Sequence, residues 1–393
     1  MADRFMYDRF RIYPDEKQTA AAFQTLGSCR YVYNLYLNSW DTCLRHTGQG
    51  MSYTECFQSL IELKKVHTWL RSSDSSALTN SLRNLSRAFQ EYSMHRRSYP
   101  SFHRKGHRDS YTCTNSGSSI RVLNNGNVIL PGLGKTRARG LRFLKGIICS
   151  ATVIYETTGK WYCSLLYKTA PAVPFPVSGK TVGIDLGIHD YLILSDGTRI
   201  PNPRFMDSLA KKLAREQRKL DRKRKANTLY YAEIEGKRIP VFRRPLKDCR
   251  NYQKQKKRVA RIYEKIRFCR LDFEHKLSTE LIKNHDVICM EDLDVRGMLA
   301  DKRMSRQISD VSWSEFTSML EYKASWYGRK ILRVPRFYPS SQICSVCGSV
   351  NNAVKDLSIR TWECPLCHSI HDRDINAARN IKKEALKRAV LHG

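Results

Sequence analysis

The chain has 393 residues, 41% hydrophobic and 10% aromatic, which excludes a disordered chain and leaves room for two or three cored domains. Lys and Arg number 69 against 37 Asp and Glu, a formal charge of +32. Self-repulsion of that size calls for a polyanion, with nucleic acid the leading candidate. No apolar run reaches 18 residues and no secretory or lipidation signal is found, so a membrane partner is set aside.

Residues 5–13 alternate loosely and end at Pro14, the pattern of a first strand. From Lys17 the period changes: Phe23, Leu26, Cys29, Tyr33, Leu37, Trp40 and Leu44 make the stripe of an amphipathic helix. A shorter segment runs through Leu60 and Leu63, and Asp74 is placed to cap a helix striped by Leu78, Leu82, Leu85, Phe89 and Tyr92. Residues 95–108 interleave basic side chains with aromatics and contain no acid; Tyr99, Phe102, Arg104 and Lys105 are candidates for stacking on bases and neutralising phosphates. Several short strands follow, with turns at 124–126 and 158–160, and with the first strand they predict a small β-barrel into which the helical module is inserted. Three prolines in residues 170–177 mark a stiff linker and a domain boundary.

Beyond the linker, TVGIDLGIHDYLILSDGTRI (181–200) reads as a strand ending in Asp185, a tight turn at Gly187, and two further strands hinged at 195–197. A carboxylate at the tip of an apolar strand either caps a turn or is held by a cation. Residues 211–225 then carry nine Lys and Arg against two acids, and residues 243–270 twelve against two. This excess is too one-sided for ion pairing along a helix to balance, and two basic helices are expected to wall a channel for a nucleic-acid backbone. Lys211, Lys212, Arg218 and Arg222 are the candidates there. The helix is expected to stop near Asn284, after which residues 286–295 repeat the opening device, an apolar strand delivering Glu291 at its end. A helix near 314–327 and a strand at 330–334 follow.

Cys344-x2-Cys347 and Cys364-x2-Cys367 are separated by sixteen residues. Four soft ligands in two knuckles suit one tetrahedral Zn²⁺, and with no ligand position left for water the metal is structural. Asp374 falls in the first turn of a closing basic helix, where the helix dipole favours a negative charge. The other nine cysteines read as ordinary thiols of a reducing compartment, and a cytoplasmic, nucleoid-associated location is expected. If the strands of Asp185 and Glu291 are neighbours, both tips meet the helix start of Asp374. Three converging carboxylates can hold two Mg²⁺ ions (Mn²⁺ equally), one activating water for in-line attack on a phosphodiester and the other stabilising the departing 3′ oxygen.

At these residues the chain resembles the TnpB family, transposon-encoded RNA-guided nucleases from which type V CRISPR effectors are thought to descend. The match runs in order through LGSCRYVYN (26–34), GIDLG (183–187), MEDL (290–293), SDVSWSEF (309–316), YKASWYG (322–328), YPSSQICSVCG (338–348) and HDRDINAARNI (371–381). The resemblance implies a multidomain α+β chain. In it a wedge β-barrel (1–16 and 109–170) holds a helical recognition module (17–108). A proline linker (171–178) leads to a ribonuclease-H-like RuvC nuclease (179–337 and 371–393) with a mixed sheet and an inserted zinc ribbon (338–370). It also implies Asp185, Glu291 and Asp374 as the catalytic, Mg²⁺-binding trio, with Asp372 outside the family's D-x-N-A-A pattern. Guide RNA and target double-stranded DNA are the implied partners, one protein per guide RNA. Tyr53, Ser75, Ser76, Thr79, Thr114 and Asn115 occupy the stretches that read the short target-adjacent motif, while pairing reads the sequence.

Other readings are a miniature type V CRISPR effector, a guided repressor that does not cut, an actin-like phosphotransferase and a strand-transferring transposase. The intact trio disfavours the repressor, and the lack of a second Gly-rich phosphate loop disfavours the phosphotransferase. The insert at 232–248 has no counterpart in the resemblance.

Overall fold

The computed structural model describes residues 4–106, 109–234, 236–300 and 305–392. The chain divides into two compact units, Met1–Pro171 and Ala172–Gly393.

In the first unit, β1 (Arg4–Tyr13) turns Phe10 and Ile12 into the core. Asp15 then caps α1 (Glu16–Thr47) reciprocally with Gln18, and Gly48, at φ +72°, ends it in the left-handed conformation that glycine adopts without strain. A second reciprocal cap, Ser52 with Glu55, opens α2 (Tyr53–Val66); after a 3₁₀ turn, Asp74 accepts from the Ala77 amide at 2.9 Å and opens α3 (Ser75–Ser93). Six more strands follow: β2 (Ser110–Thr114), β3 (Arg121–Val122), β4 (Val128–Leu130), β5 (Gly134–Arg139), β6 (Ile147–Tyr155) and β7 (Trp161–Thr169). They join β1 in one antiparallel sheet, ordered β2-β6-β7-β1-β5-β4-β3. Val32, Tyr36 and Leu37 of α1 and Leu78 and Leu82 of α3 share a core with Leu130, Val153 and Leu165 of the sheet. The expected barrel is corrected in one respect. Among the described residues β2 and β3, the first and last strands, share no ladder, so hydrogen bonding leaves the sheet open. With only two residues, β3 is too short to bring the edges together.

In the second unit, Phe175 stacks on Tyr327 with centroids 4.3 Å apart, and Arg329 donates to the Pro176 carbonyl, so the expected linker is docked from there on. The strands β8 (Thr181–Leu186), β9 (Asp190–Leu194) and β10 (Arg199–Pro201) form a meander. Next come α4 (Phe205–Ser208), α5 (Ala210–Ala226), the ribbon β11 (Thr228–Ile234) and β12 (Lys237–Phe242), and α6 (Arg250–Asn284). They are followed by β13 (Val287–Glu291), α7 (Val295–Ala300), α8 (Ser305–Val311), α9 (Trp313–Tyr327), β14 (Lys330–Val334), β15 (Thr361–Glu363), β16 (Ile370–Asp372) and α10 (Arg373–His392).

The main sheet has the order β10-β9-β8-β13-β14, with β8, β13 and β14 parallel and the β9 and β10 pairings antiparallel. Leu277 and Leu281 of α6 and Phe316 and Leu320 of α9 pack with Val182, Ile184 and Met290 of the sheet. Ile381 and Ala385 of α10 pack with Cys289 and Val334, so helices cover both faces of the sheet. The approach of α10 sets the residue at 183: a Cβ on Gly183 would fall 2.9 Å from the Lys382 amide nitrogen and nearer still to the Ala378 carbonyl. Ala377 and Ala378 are fully buried on the helix side of that contact. No helix among the described residues is long and apolar enough to cross a membrane.

Candidate metal centres and nucleic-acid interface

Asp185 lies near the end of β8 and Glu291 ends β13, its parallel neighbour, while Asp374 sits in the first turn of α10 on the sheet's other face. The three elements bring the acids into one electrostatic field. Burial pushes the Asp185 carboxyl well above its ordinary value, and the charges of Glu291 and Asp374 push it further, against the pull of Arg373 and Arg360. Burial also raises Glu291, opposed by the Ser340 hydroxyl, which donates to Glu291 Oε1 at 2.6 Å. The trio is wider than a compact ligand cage; among the described residues it is not a group whose ligand atoms all lie within 4.8 Å of one another. Asp372 has a different task. Its Oδ1 accepts from the backbone amides of Asp374 and Ile375 at 3.2 and 3.0 Å, capping α10.

Two arginines that the sequence reading passed over flank Asp374. Arg199 on β10 pairs with Asp190 at 2.7 Å and Asp372 at 2.6 Å, and lies 3.9 Å from Asp374. Arg360 lies 3.4 Å from Asp374 and precedes β15 between the two cysteine pairs. Its carbonyl accepts from the Arg373 amide, which ties the start of β15 to the start of α10.

The four cysteines do form a compact cage, with all four sulfurs within 4.8 Å of one another. Cys344 Sγ is 3.6 Å from Cys367 Sγ, and Cys347 Sγ is 3.6 Å from Cys364 Sγ. A tetrahedron of ~2.3 Å Zn–S bonds has edges of about 3.8 Å, so the cluster fits zinc, and its separations are far too long for disulfides. Around it, Asn376 donates to the Ile343 carbonyl and accepts from the Ser345 amide, and Asn380 donates to the Ser340 and Ile343 carbonyls. These two side chains, four residues apart on one face of α10, bind the first knuckle to the helix that carries Asp374.

The nucleic-acid candidates fall into three groups. Ser76 Oγ accepts from the Thr114 amide, and Asn80 donates to Thr114 Oγ1, so α3 and β2 meet at the candidate motif-reading stretch. Ser75 accepts from Lys64, Thr79 bonds back to the Ser75 carbonyl, and Tyr53 opens α2 with its ring stacked on Phe57. The Asn115 side chain is engaged on two sides, donating to the Ile148 carbonyl of β6 and accepting from the Ile120 amide. In the second group Tyr99 is held: its ring meets Trp40, Phe89 and Tyr92 edge-on, and its hydroxyl donates to Asp41. Phe102, Arg104 and Lys105 are exposed; His107 and Arg108 lie outside the described residues. In the third, Lys211, Lys212, Arg218 and Arg222 all lie exposed on α5, whose buried side packs Leu213 against Val259, Ile262 and Ile266 of α6.

Three family models match: "Helix-turn-helix domain" over 7–49, "Probable transposase" over 164–301 and "Cas12f1-like, TNB domain" over 313–381. In this chain residues 7–49 are a strand and one uninterrupted helix rather than two helices with a turn. A relative from Streptomyces pristinaespiralis, "Putative RNA-guided DNA endonuclease", is 34% identical over 95% of this chain and 87% of its own. Another from Escherichia coli (strain K12), "Putative RNA-guided DNA endonuclease InsQ", is 30% identical over 95% and 90%. Among solved structures, "Cryo-EM structure of the Cas12f1-sgRNA-target DNA complex" aligns with a TM-score of 0.56 at 12% identity, over 97% of this chain and 99% of that one, a likeness of fold. A five-stranded mixed sheet and a four-cysteine cage, on a chain that matches these relatives over nearly its whole length, define the class: the chain belongs to the TnpB family of RNA-guided DNA endonucleases.

Proposed function

We propose that this chain binds a transposon-derived guide RNA and cuts complementary double-stranded DNA beside a short target-adjacent motif. It is a metal-dependent endodeoxyribonuclease. The observation that carries the reading is geometric. The parallel neighbours β8 and β13 bear Asp185 and Glu291 near their ends, and Asp374 lies in the first turn of α10, close enough for both other acids to raise the Asp185 carboxyl further after burial. Clustered acids of this kind are stabilised in their charged forms by a cation. The domain assignment follows the resemblance: a wedge sheet with the recognition helices in the first unit, and RuvC with an inserted zinc ribbon in the second.

Oxygen ligands suit Mg²⁺ or Mn²⁺, and Asp185, Glu291 and Asp374 would hold the ions. What bound Mg²⁺ supplies here is an acidified water and neutralised charge on the phosphodiester. The chain's own groups orient the ligands. Ser340 occupies one oxygen of Glu291 and fixes its rotation. Asp372 and Arg199 anchor the first turn of α10, from which Asp374 projects. Arg360, more than half exposed beside Asp374, offers a guanidinium to a phosphate oxygen of the substrate. The exposed cations of α5 hold a phosphate backbone. Thr114 and Ser76, where α3 meets β2, form the centre of the motif-reading surface, with Tyr53, Ser75, Thr79 and Asn115 around it. One protein per guide RNA follows the resemblance, and the charge of +32 supports a place among nucleic acid at the nucleoid.

The test is sequencing of the RNA that co-purifies with the protein, followed by a plasmid-cleavage assay with that RNA and Mg²⁺. A constant scaffold with a variable 3′ segment that directs cutting supports the reading; bulk host RNA and an intact plasmid contradict it. A CRISPR-derived segment would transfer the same chemistry to the miniature-effector alternative, whose fold the Cas12f1 likeness favours.

A further inference from the structure

Residues 228–242 interrupt the two basic helices of the second unit with an element that the mechanism does not use. β11 and β12 form a two-stranded antiparallel ribbon pairing Ile234 with Lys237, and Gly236 at φ +70° permits the tight turn. Cross-strand partners share a face. Tyr230 with Val241, Ala232 with Ile239 and Ile234 with Lys237 make one; Tyr231 with Pro240 and Glu233 with Arg238 make the other. The first face is apolar except at its tip, yet Tyr230 is 56%, Ile234 53% and Ile239 43% exposed. None of these side chains belongs to an apolar cluster of the described residues. A lone two-stranded ribbon is marginally stable in water, and a contiguous apolar face marks an interaction site.

We propose that the Tyr230 face of this ribbon packs on unpaired bases of the guide RNA, an inference that rests on the RNA-guided reading above. Charge complementarity selects the occupant. The ribbon is entered through Lys223, Arg224 and Lys225 and left through Arg243, Arg244, Lys247 and Arg250, all exposed. Cations on both flanks neutralise phosphates while the aromatic and aliphatic side chains between them receive base faces. On the opposite face the Arg238 guanidinium lies 5.7 Å from the Tyr231 ring centroid, a second flat cationic surface of the same kind. Unpaired RNA bases are read by stacking on aromatic side chains. The guide, held before any target arrives, is the nucleic acid that covers the face throughout the working cycle. A second copy of the chain fits poorly. It brings a charge of +32 against +32, and five ribbon side chains fall short of the roughly 800 Å² per partner of a stable interface.

The test uses the full-length protein and its co-purifying RNA, transcribed and labelled, with filter binding and 2′-hydroxyl acylation read in parallel. Tyr230→Ala combined with Ile239→Ala is expected to weaken RNA binding about ten-fold. It should also expose a short set of nucleotides protected in the wild-type complex. A second variant, with residues 229–241 replaced by Gly-Ser-Gly, leaves the packing of Leu213 on Val259 and Ile262 in place and should lose the same protections. Wild-type affinity and protection in that second variant overturn the proposal, as does a ribbon-dependent dimer mass in sedimentation without an RNA effect. Failure of the wild-type chain itself to retain the RNA would sink the guided reading, and this inference with it.

Discussion

Ser340 donates its hydroxyl to Glu291 at 2.6 Å while its carbonyl accepts from Asn380 of α10 at 2.8 Å. One residue just before the first zinc knuckle therefore links the carboxylate at the tip of β13 to the helix that carries Asp374. The ribbon, the sheet and the last helix are one mechanical unit around the acids, and the predictions below follow from that linkage.

Ser340→Ala removes the hydrogen bond but leaves the backbone link. Partners that orient metal-binding carboxylates are typically worth 10–100-fold in metal affinity or activity. Mg²⁺-dependent cleavage should fall within about that range and require more Mg²⁺, while RNA affinity stays at the wild-type value. Titrating Mg²⁺ at fixed RNA and target checks both parts.

Removal of zinc should act on the acids at a distance. With the knuckles released, Arg360 and Ser340 lose their fixed places beside Asp374 and Glu291. The protein should carry one Zn²⁺ per chain by elemental analysis. Cys347→Ser with Cys364→Ser should lose both the metal and the cleavage activity, with a lower melting temperature.

Gly183→Ala places a methyl group against the Ala378 carbonyl and the Lys382 backbone, where nothing is flexible enough to yield. Overpacking of this kind costs about 1–3 kcal/mol or more, and the variant should unfold at clearly lower denaturant than wild type. Gly48→Ala, at an open helix end, is strained by its φ alone and should cost less.

Glu274, fully buried on α6, supplies a pH prediction. Burial, then the charge of Glu315, pushes its carboxyl from 4.5 to about 8, against the pull of Arg270 and Tyr191. The native state therefore keeps a proton that the unfolded chain releases, so this contribution to stability is complete below about pH 4.5 and is lost as pH rises towards 8. The slope is at most about 1.4 kcal/mol per pH unit. Glu274→Gln should flatten the stability profile and exceed wild type near pH 8, as urea midpoints at several pH values would record.

Much of this arrangement was legible because single residues break strong patterns. Asp185 and Glu291 each stand at the end of an apolar run, and the paired cysteines have a spacing that few other structures use. Asp74 and Asn284 were readable as helix limits from capping chemistry and the end of a stripe. Arg199 was not readable. Its partner Asp372 is 173 residues away, and nothing local distinguishes it from the many other arginines of a basic chain. Arg360 carried a faint signal, its position between two knuckles. The β11–β12 ribbon left a weaker trace, two adjacent tyrosines in residues 228–234 and a turn glycine at Gly236, and the surrounding charge runs hid it. The open edge of the first sheet depends on the two-residue length of β3, which no pattern specifies.

The central claim is that Asp185, Glu291 and Asp374 act together on one bound metal centre. The most direct measurement is target cleavage by Asp185→Asn, Glu291→Gln and Asp374→Asn across a Mg²⁺ titration, with guide RNA and target binding recorded on the same preparations. Each variant should bind RNA and target normally and cut less than about one thousandth as fast at every Mg²⁺ concentration. Cutting at the wild-type rate by any one of the three, with binding intact, would contradict the account.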